Sequence, residues 1–322
     1  MDFLGQRMPY VTAFSKALGT GMMISADSPI GDESRSAMES LIEDYEHVLS
    51  RFRNDSLIAA IGKAEHGGSF DFPDWCAPLF DLYDALFSAT SGAIDPCVGE
   101  DLIRLGYDAS LSFTVTQDAP EHLGALRGRA VWGRDVTRHG TTLVTHEPVQ
   151  LDFGACGKGY LVDLLGRMLQ SSQFVIDAGG DLLIHAEQPI SVALEDPEDQ
   201  SHAIGIAHIA NGALCASAPS RRHWNVAVNE RTQIAIHHLL NAIDGLPAQQ
   251  TEASWAYIPA NATLNLARDY PAAVADGLAT ALFVSDATQL QRTFDFAYAT
   301  LNESRQIAAS RNFPAELFLR SA

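Results

Sequence analysis

The sequence predicts a protein of the α+β class, in which antiparallel sheet packs against a few helices. Strand-like segments follow one another without intervening helices, and the helix-like segments fall into two groups. A doubly wound parallel fold would alternate strands and helices regularly instead. No repeat, low-complexity segment or Pro/Gly/Ser-rich linker divides the chain. We therefore expect a single domain over residues 1–322.

Five segments carry the periodicity of helices. In the first, apolar residues recur three and four positions apart with acidic residues between them. A glycine-rich turn opens the third, and the fourth is mostly apolar. The predicted helices are Ser34–Arg51, Trp75–Thr90, Gly159–Gln170, Val274–Val284 and Ser304–Arg311.

Shorter apolar segments bounded by turn-forming residues are predicted as strands. The 24 glycines and 14 prolines of the chain supply many candidate turns between them. The predicted strands are Thr20–Ser25, Ala130–Trp132, Thr142–Val144, Phe174–Ile176, Leu182–His185, Ile190–Leu194, Ala213–Ala216, Ile234–Ile236 and Glu252–Ile258.

The charge and the ends of the chain limit its partners and location. The 322 residues include 40 acidic and 21 basic side chains, a formal net charge of −19. Such a surface repels phosphate backbones and anionic lipid, so we expect no nucleic-acid partner. No stretch approaches the roughly 18 consecutive apolar residues of a membrane span. The N-terminus lacks the pattern of a signal peptide and the four cysteines form no close pair, so a cytoplasmic location is expected.

The segment Leu151–Asp163 is the first candidate for chemistry, because three glycines flank Lys158 where a strand meets a helix. Small residues let backbone N–H groups approach an anion, and a helix N-terminus and a lysine both favour negative charge. The spacing matches neither a Walker A loop nor a dinucleotide fingerprint. By itself the segment is compatible with a phosphate site or with a structural turn.

The helix predicted at Val274–Val284 is the second candidate. Asp276 and Thr280 are four residues apart, so on a helix they share one face and offer two hard oxygens to Mg²⁺. An aspartate at the helix N-terminus and a threonine bonded to its own helix would explain the spacing equally well. Two tight turns that hold carboxylates, Ser88–Pro96 and Asp177–Asp181, indicate only ordered loops.

Histidine and serine motifs exclude two common classes of hydrolase. The 11 histidines show no spacing typical of zinc ligands, and no GxSxG motif occurs. His237 and His238 form the one adjacent pair. A histidine beside an anion site can act as a general base, although most single histidines are surface or core residues.

Taken together and in order, these segments resemble the ApbE family of Mg²⁺-dependent FAD:protein FMN transferases. Each motif is weak alone, but the ordered set spans about Leu18 to Val284 and is specific. The motifs that carry the resemblance are Leu18–Thr20, Ser50–Ser56, Gly92–Pro96, Leu151–Asp163, Gly179–Asp181, His238–Gly245 and Ala275–Ala281.

The resemblance implies a T-fold-like architecture in which FAD, as a substrate, binds in a cleft beside Mg²⁺. It implies metal ligands at Asp276, Thr280 and the backbone oxygen of Ala155. We predict that Phe52 lies against an aromatic ring of FAD and that Lys158 lies near its phosphates. The implied FAD contacts are Leu18, Phe52, Ala93, Ile94, Asp95, Asp152, Lys158 and Leu239.

The resemblance also implies the reaction. In the family, a Thr or Ser hydroxyl of an acceptor protein attacks the FAD pyrophosphate, FMN becomes attached through a phosphoester, and AMP leaves. A neutral hydroxyl is a poor nucleophile and needs a base, while charge on the phosphoryl oxygens needs a cation. We predict His238 as the base, with Mg²⁺ and Lys158 stabilising the charge. Hydrolysis of FAD to FMN and AMP and FAD binding without transfer are the alternatives.

The sequence departs from the family pattern at three places. Leu18 replaces a methionine and keeps an apolar contact, whereas Gly62 replaces a common asparagine, which predicts the loss of a polar contact to FAD. Asn241–Ala242 and Asp244–Gly245 replace Asp-Pro and Thr-Gly. We expect Asp244 to add negative charge near the reacting phosphates, so the changes affect acceptor-side geometry more than FAD binding.

Overall fold

The computed structural model describes residues 4–229 and 232–318, and its strands all pair in antiparallel fashion within those ranges. The strands are β1 (Tyr10–Phe14), β2 (Met22–Ala26), β3 (Gly68–Asp71), β4 (Val136–His139), β5 (Thr142–Thr145), β6 (Phe174–Asp177), β7 (Asp181–Glu195), β8 (Ala203–Ser217), β9 (His223–Asn229), β10 (Thr232–His237), β11 (Leu240–Asn241), β12 (Leu246–Pro247), β13 (Thr251–Pro259), β14 (Ala297–Asn302), β15 (Ile307–Ala309) and β16 (Ala315–Leu317).

The helices of the described ranges divide into four longer ones and several of a single turn or slightly more. None of them is long and apolar enough to cross a membrane. They are α1 (Leu4–Arg7), α2 (Asp32–Leu49), α3 (Leu57–Ile61), α4 (Ala77–Ala89), α5 (Gly99–Arg104), α6 (Ala119–His122), α7 (Gly157–Gly166), α8 (Asn265–Asp269), α9 (Pro271–Ala281) and α10 (Ala287–Leu290).

A nine-stranded sheet forms the centre of the fold. Its strand order is β1-β2-β6-β7-β8-β13-β14-β15, and β16 pairs with the first part of β8. The 15-residue strands β7 and β8 form its central hairpin. Three smaller sheets, β3-β5-β4, β9-β10 and β11-β12, lie outside it. This arrangement confirms the predicted α+β class with antiparallel sheets.

Two helices that carry predicted site residues, α7 and α9, pack closely against each other. A Cβ atom at Gly159 would lie 2.2 Å from the carbonyl oxygen of Ala272, so the approach of the two backbones requires glycine. The buried carboxylate of Asp163 accepts the N–H groups of Ala272 at 3.0 Å and Ala273 at 2.8 Å, in the first turn of α9. These contacts hold Lys158 of α7 beside the inner face of α9.

Four of the five predicted helices are confirmed with shifted ends, as α2, α4, α7 and α9. The helix predicted at Ser304–Arg311 is wrong, because this segment is a tight turn followed by β15. Arg305 has a φ of +61° and its N–H donates to Asn302, which reverses the chain. Ile307 then pairs with Leu301 and buries its side chain, so strand pairing overrides the helical pattern.

The strand predicted at Ala130–Trp132 is also wrong, since only an isolated bridge joins Trp132 to Val136. Its backbone donors bind carboxylates instead of a neighbouring strand: Val131 N–H donates to Asp135 at 2.7 Å. The other predicted strands lie within described strands, except that the strand predicted at Thr20–Ser25 begins two residues before β2. The segments Leu182–His185 and Ile190–Leu194 belong to the single strand β7, whose register shifts between them.

Candidate active site

A cleft of about 880 Å³ brings the predicted site residues together from six separate segments of the chain. It lies where the end of α2, the start of α7, the inner face of α9 and the end of β8 meet several loops. Every predicted residue is part of its lining: His238, Leu18, Phe52, Ala93, Ile94, Asp95, Asp152, Lys158, Leu239, Ala155, Asp276 and Thr280.

A cluster of one half-buried lysine and two buried carboxylates lies at the cleft. The Nζ atom of Lys158 is 2.8 Å from Oδ2 of Asp181 and 3.5 Å from Oδ1 of Asp276. Burial, together with the charge of Asp181, raises the pKa of Asp276 to about 7, while Lys158 and the N–H of Gly159 oppose the rise. Burial opposes the charge on Lys158, but the two carboxylates outweigh it and raise the pKa of the amine. When all three groups are charged the cluster carries an excess negative charge.

The same region offers oxygen atoms suited to Mg²⁺. The hydroxyl of Thr280 lies 3.3 Å from the carbonyl oxygen of Ala155, one helical turn from Asp276. Apart from the ion pair of its Oδ2 with Lys158, the buried carboxylate of Asp181 accepts no hydrogen bond from a described residue. No group of three or more His, Cys, Asp or Glu residues in the described ranges could hold a metal alone. The donors present fit Mg²⁺, which commonly combines one or two carboxylates with substrate phosphates and water.

His238 lies in the cleft as a neutral imidazole, and a hydrogen bond determines which of its two ring nitrogens carries the proton. Its Nδ1 is 3.2 Å from the carbonyl oxygen of Arg222, which can only accept, so Nδ1 carries the proton and Nε2 has a free lone pair. Burial, with the positive charges of Lys158 and Arg222, lowers the pKa of His238 to about 4. A neutral ring with a free Nε2 can accept a proton at pH 7.

One wall of the cleft is aromatic and is held together by an arginine. The guanidinium of Arg51 lies 4.2 Å from the ring centroid of Phe52 and 4.6 Å from that of Tyr107. Phe52 keeps 40% of its surface exposed, so a face of its ring is open to a ligand. Arg51 also forms an ion pair with Asp152, whose other oxygen accepts the N–H of Gly154 at 2.6 Å.

The loop that carries Ala93, Ile94 and Asp95 follows a tight turn. Ser91 and Gly92 have φ values of +55° and +88°, and this left-handed pair ends the α4 segment. The carboxylate of Asp95 is 1% exposed and accepts the N–H of Cys97 at 2.8 Å. Because this carboxylate is engaged inside the protein, Asp95 offers the cleft its backbone rather than its charge.

Residues 18–300 match the profile of the ApbE family, which is well over half of the chain. The protein belongs to the ApbE family. Two curated relatives are named FAD:protein FMN transferase. The relative from Treponema pallidum (strain Nichols) is 27% identical over 276 residues, 76% of this chain and 69% of the relative. The relative from Chlamydia muridarum (strain MoPn / Nigg) is 24% identical over 282 residues, 82% of this chain and 80% of the relative.

Solved structures of ApbE proteins share the fold. The ApbE protein of Thermotoga maritima superimposes with a TM-score of 0.76 at 20% identity, covering 95% of this chain and 100% of that chain. The flavin transferase ApbE of Vibrio cholerae superimposes with a TM-score of 0.74 at 17% identity, covering 94% and 98%. These likenesses extend the family match to the three-dimensional architecture.

Of the departures of this ApbE protein from the family pattern, Leu18 and Ala242 line the cleft, whereas Gly62 and Asp244 do not. The expectation that Asp244 adds charge there is wrong, since Asp244 does not line the cleft and its Oδ1 accepts the N–H of Leu246 at 3.0 Å. Gly62 does not line the cleft either. The side chain of Gln150 donates to the Gly62 carbonyl at 3.1 Å and fills the space that a Cβ would need.

Several cleft residues of this ApbE protein were not predicted as site residues, among them Arg51, Tyr107 and Arg222. Arg51 lies inside the Ser50–Ser56 motif, so its neighbours could have drawn attention to it. Tyr107 follows Gly106, whose φ of +92° marks a turn. Arg222 has no sequence signal of this kind, and its place beside Tyr107 and His238 depends on tertiary structure alone.

Proposed function

We propose that this protein is a FAD:protein FMN transferase, which moves FMN from FAD to a Thr or Ser hydroxyl of an acceptor protein and releases AMP. One observation carries the proposal: Lys158 with the buried carboxylate of Asp276, the Thr280–Ala155 pair and a neutral histidine line one cleft. Membership of the ApbE family and the names of the two relatives support it.

FAD binding is assigned to the walls of this cleft. Leu18 has a φ of +51°, and its N–H donates to Glu46 Oε1 at 2.9 Å, so a strained backbone is held in place at the cleft. Phe52 stacks on an aromatic ring of FAD, and Lys158 approaches the phosphates at the N-terminus of α7. The remaining proposed contacts are Ala93, Ile94, Asp95, Asp152 and Leu239.

Mg²⁺ is assigned to Asp276, Thr280 and the carbonyl oxygen of Ala155. When bound, the ion would withdraw negative charge from the pyrophosphate oxygens. Lys158 adds a second positive charge to the same region. These donors are held in place because α7 and α9 are joined by the close backbone approach at Gly159 and by the hydrogen bonds of Asp163 to the first turn of α9.

His238 is proposed as the general base. Its free Nε2 takes the proton of the acceptor hydroxyl while the hydroxyl oxygen forms a bond to the phosphorus of the FMN half. The bond between that phosphorus and the bridging oxygen breaks, and AMP leaves with the bridging oxygen. Lys158 stabilises the charge that develops on the phosphoryl oxygens.

Mass spectrometry tests the proposal. The purified protein is mixed with FAD, Mg²⁺ and candidate acceptor domains from its own genome. An acceptor that gains the mass of one FMN less one water, with AMP released in equal amount and both lost without Mg²⁺, would support the transferase. Free FMN and AMP without a labelled acceptor would instead indicate hydrolysis. Intact bound FAD would indicate a binding protein.

We also propose a cytoplasmic location. The four thiols are free and buried, at Cys76, Cys97, Cys156 and Cys215, which suits a reducing compartment. Cell fractionation with a full-length tagged chain tests this, and recovery outside the cytoplasm would contradict it.

A further inference from the structure

Arg129 is buried without any exposed side-chain surface, next to the cleft but outside its lining. Its Nε lies 2.8 Å from Oδ2 of Asp101, although too poorly aligned for a hydrogen bond, and its Nη1 lies 3.4 Å from Asp95. Its Nη2 donates to the carbonyl oxygen of Ala242 at 2.7 Å. Desolvating a guanidinium costs several kcal/mol, so such a residue persists only where its partners hold it closely.

Two of the partners of Arg129, Asp95 and Ala242, belong to two different segments that line the cleft. Asp95 ends the loop of Ala93 and Ile94, and Ala242 follows the segment of His238 and Leu239 by three residues. The two segments are joined directly, since the N–H of Ala242 donates to the carbonyl oxygen of Ala93 at 3.0 Å. Arg129 therefore contacts both segments that this backbone bridge connects.

A third segment, at Gly124 and Ala125, forms hydrogen bonds with residues of this connection. The N–H of Ala125 donates to the carbonyl oxygen of Ala242 at 3.1 Å, and the N–H of Gly124 donates to Asp101 at 2.8 Å. A Cβ atom at Gly124 would lie 2.3 Å from the backbone of Asp244, so the two loops are in direct contact. The histidine-bearing segment cannot move without disturbing these bonds.

We propose that Arg129 is a positioning residue for the transfer reaction, a role that rests on the proposed function. Arg129 and the Ala242 amide together fix the distance between His238 and the wall formed by Ala93–Asp95. The family pattern has proline at the position of Ala242, and proline has no N–H to donate to Ala93. We call the contacts of Arg129 and the Ala242 N–H the anchor of the histidine segment, because they stabilise this segment although its sequence departs from the family pattern.

Two variants test the anchor, each with a matched control. Arg129→Lys keeps the charge but loses the planar fork, and Ala242→Pro restores the residue of the family pattern but removes the N–H. Arg138→Lys is the control for the first variant, because Arg138 binds Asp81 and Asp84 outside the cleft at 2.7 Å each. Ala242→Gly, which keeps the N–H, is the control for the second.

Transfer rate, FAD affinity, thermal midpoint and the imidazole NMR signals of His238 are measured for each variant. We expect both test variants to lower kcat at least tenfold, to change the FAD dissociation constant less than threefold, and to lose the protected Nδ1–H signal of His238. The kcat of the double variant should be within twofold of the kcat of the slower single variant. The two effects should not add, because both changes break the same connection between the Ala242 segment and the Ala93–Asp95 loop. Both controls should keep kcat and the Nδ1–H signal.

Equal losses of thermal midpoint in Arg129→Lys and Arg138→Lys, with kcat and the Nδ1–H signal of His238 unchanged, would overturn the proposal and leave Arg129 a structural residue. If either test variant does not fold, the other decides, since each removes a different bond of the anchor. Failure of the wild-type protein to label any acceptor would refute the proposed function instead. The NMR signal is measured without FAD or acceptor, so it still tests the anchor in that case.

Discussion

Replacing His238 by alanine should remove the base and leave the FAD site intact. The Nδ1 proton is committed to the Arg222 carbonyl at 3.2 Å, and no residue in the described ranges forms a hydrogen bond with Nε2. General bases contribute a factor of about 10²–10⁴, so we expect kcat to fall by about that factor. FAD affinity should change little, because the proposed FAD contacts are other side chains and backbone groups. His208→Ala, on the exposed face of β8, is the control.

The pH dependence of kcat/KM tests the protonation state of His238. Since burial lowers the pKa of His238 to about 4, the imidazole is already about 99% neutral at pH 6, against about 24% for an ordinary histidine of pKa 6.5. The free enzyme should therefore show no limb from this group between pH 6 and 8, and an acid limb below pH 5. The folded-state pKa is lower than the unfolded one, so the contribution of this group to stability is full above pH 6.5 and decreases as pH falls towards 4.

Stopped assays of acceptor labelling from about pH 4 to pH 9 measure kcat and kcat/KM across the predicted acid limb. A wild-type limb near pH 6.5 that disappears in His238→Ala would show that the imidazole titrates normally, which would refute the burial argument. A His238→Ala enzyme with the wild-type kcat across this range would remove His238 from the reaction altogether.

Three further predictions concern the metal, the flavin and the fold. Asp276→Ala should abolish transfer at low Mg²⁺ while unfolding stays cooperative, and unchanged labelling in a Mg²⁺ titration would exclude Asp276 from the site. Phe52→Ala should raise the FAD dissociation constant about 2- to 13-fold, because aromatic stacking contributes about 0.5–1.5 kcal/mol; fluorescence titration measures this, and an unchanged constant would contradict the stacking. Gly159→Ala should lower the free energy of unfolding by about 1–3 kcal/mol in urea, because its Cβ would meet the Ala272 carbonyl at 2.2 Å. Gly31→Ala, with nothing within 4 Å of its Cβ, should change it little.

The sequence predicted the helices and strands in which buried residues recur at the regular spacing of that element. In α2, the buried residues Met38, Ile42, Tyr45 and Leu49 are those that recur at helical spacing. Periodicity failed where partners distant in sequence decide the conformation. The Trp132 N–H points to the carboxylate of Asp95, 37 residues earlier, instead of to a strand. Ile307 is buried because it lies opposite Leu301, which no local pattern reveals.

The residues of the candidate site also divide into those that the sequence predicted and those that only the folded structure shows. The ordered set of short motifs, through its resemblance to the ApbE family, predicted cleft residues such as Lys158 and Asp276, although the spacing of each motif alone left a structural explanation open. The same motifs could not separate side-chain roles from backbone roles, so Asp95 was predicted as an FAD contact although its carboxylate faces inward. Arg129 has no motif, since its importance arises from two segments that meet only in the folded chain.

The electrostatics of the cleft explain how an acidic protein could bind an anionic dinucleotide. A formal net charge of −19 disfavours polyanions that bind across an open surface, where every phosphate meets the mean potential. Within the cleft, the N-terminus of α7 and the amine of Lys158 act over short distances, where local charges dominate the field. The carboxylates Asp181 and Asp276 exceed that amine in charge, which favours uptake of a cation together with the pyrophosphate. An acidic surface and a phosphate-binding cleft are therefore compatible in one chain, provided that a cation accompanies the phosphate.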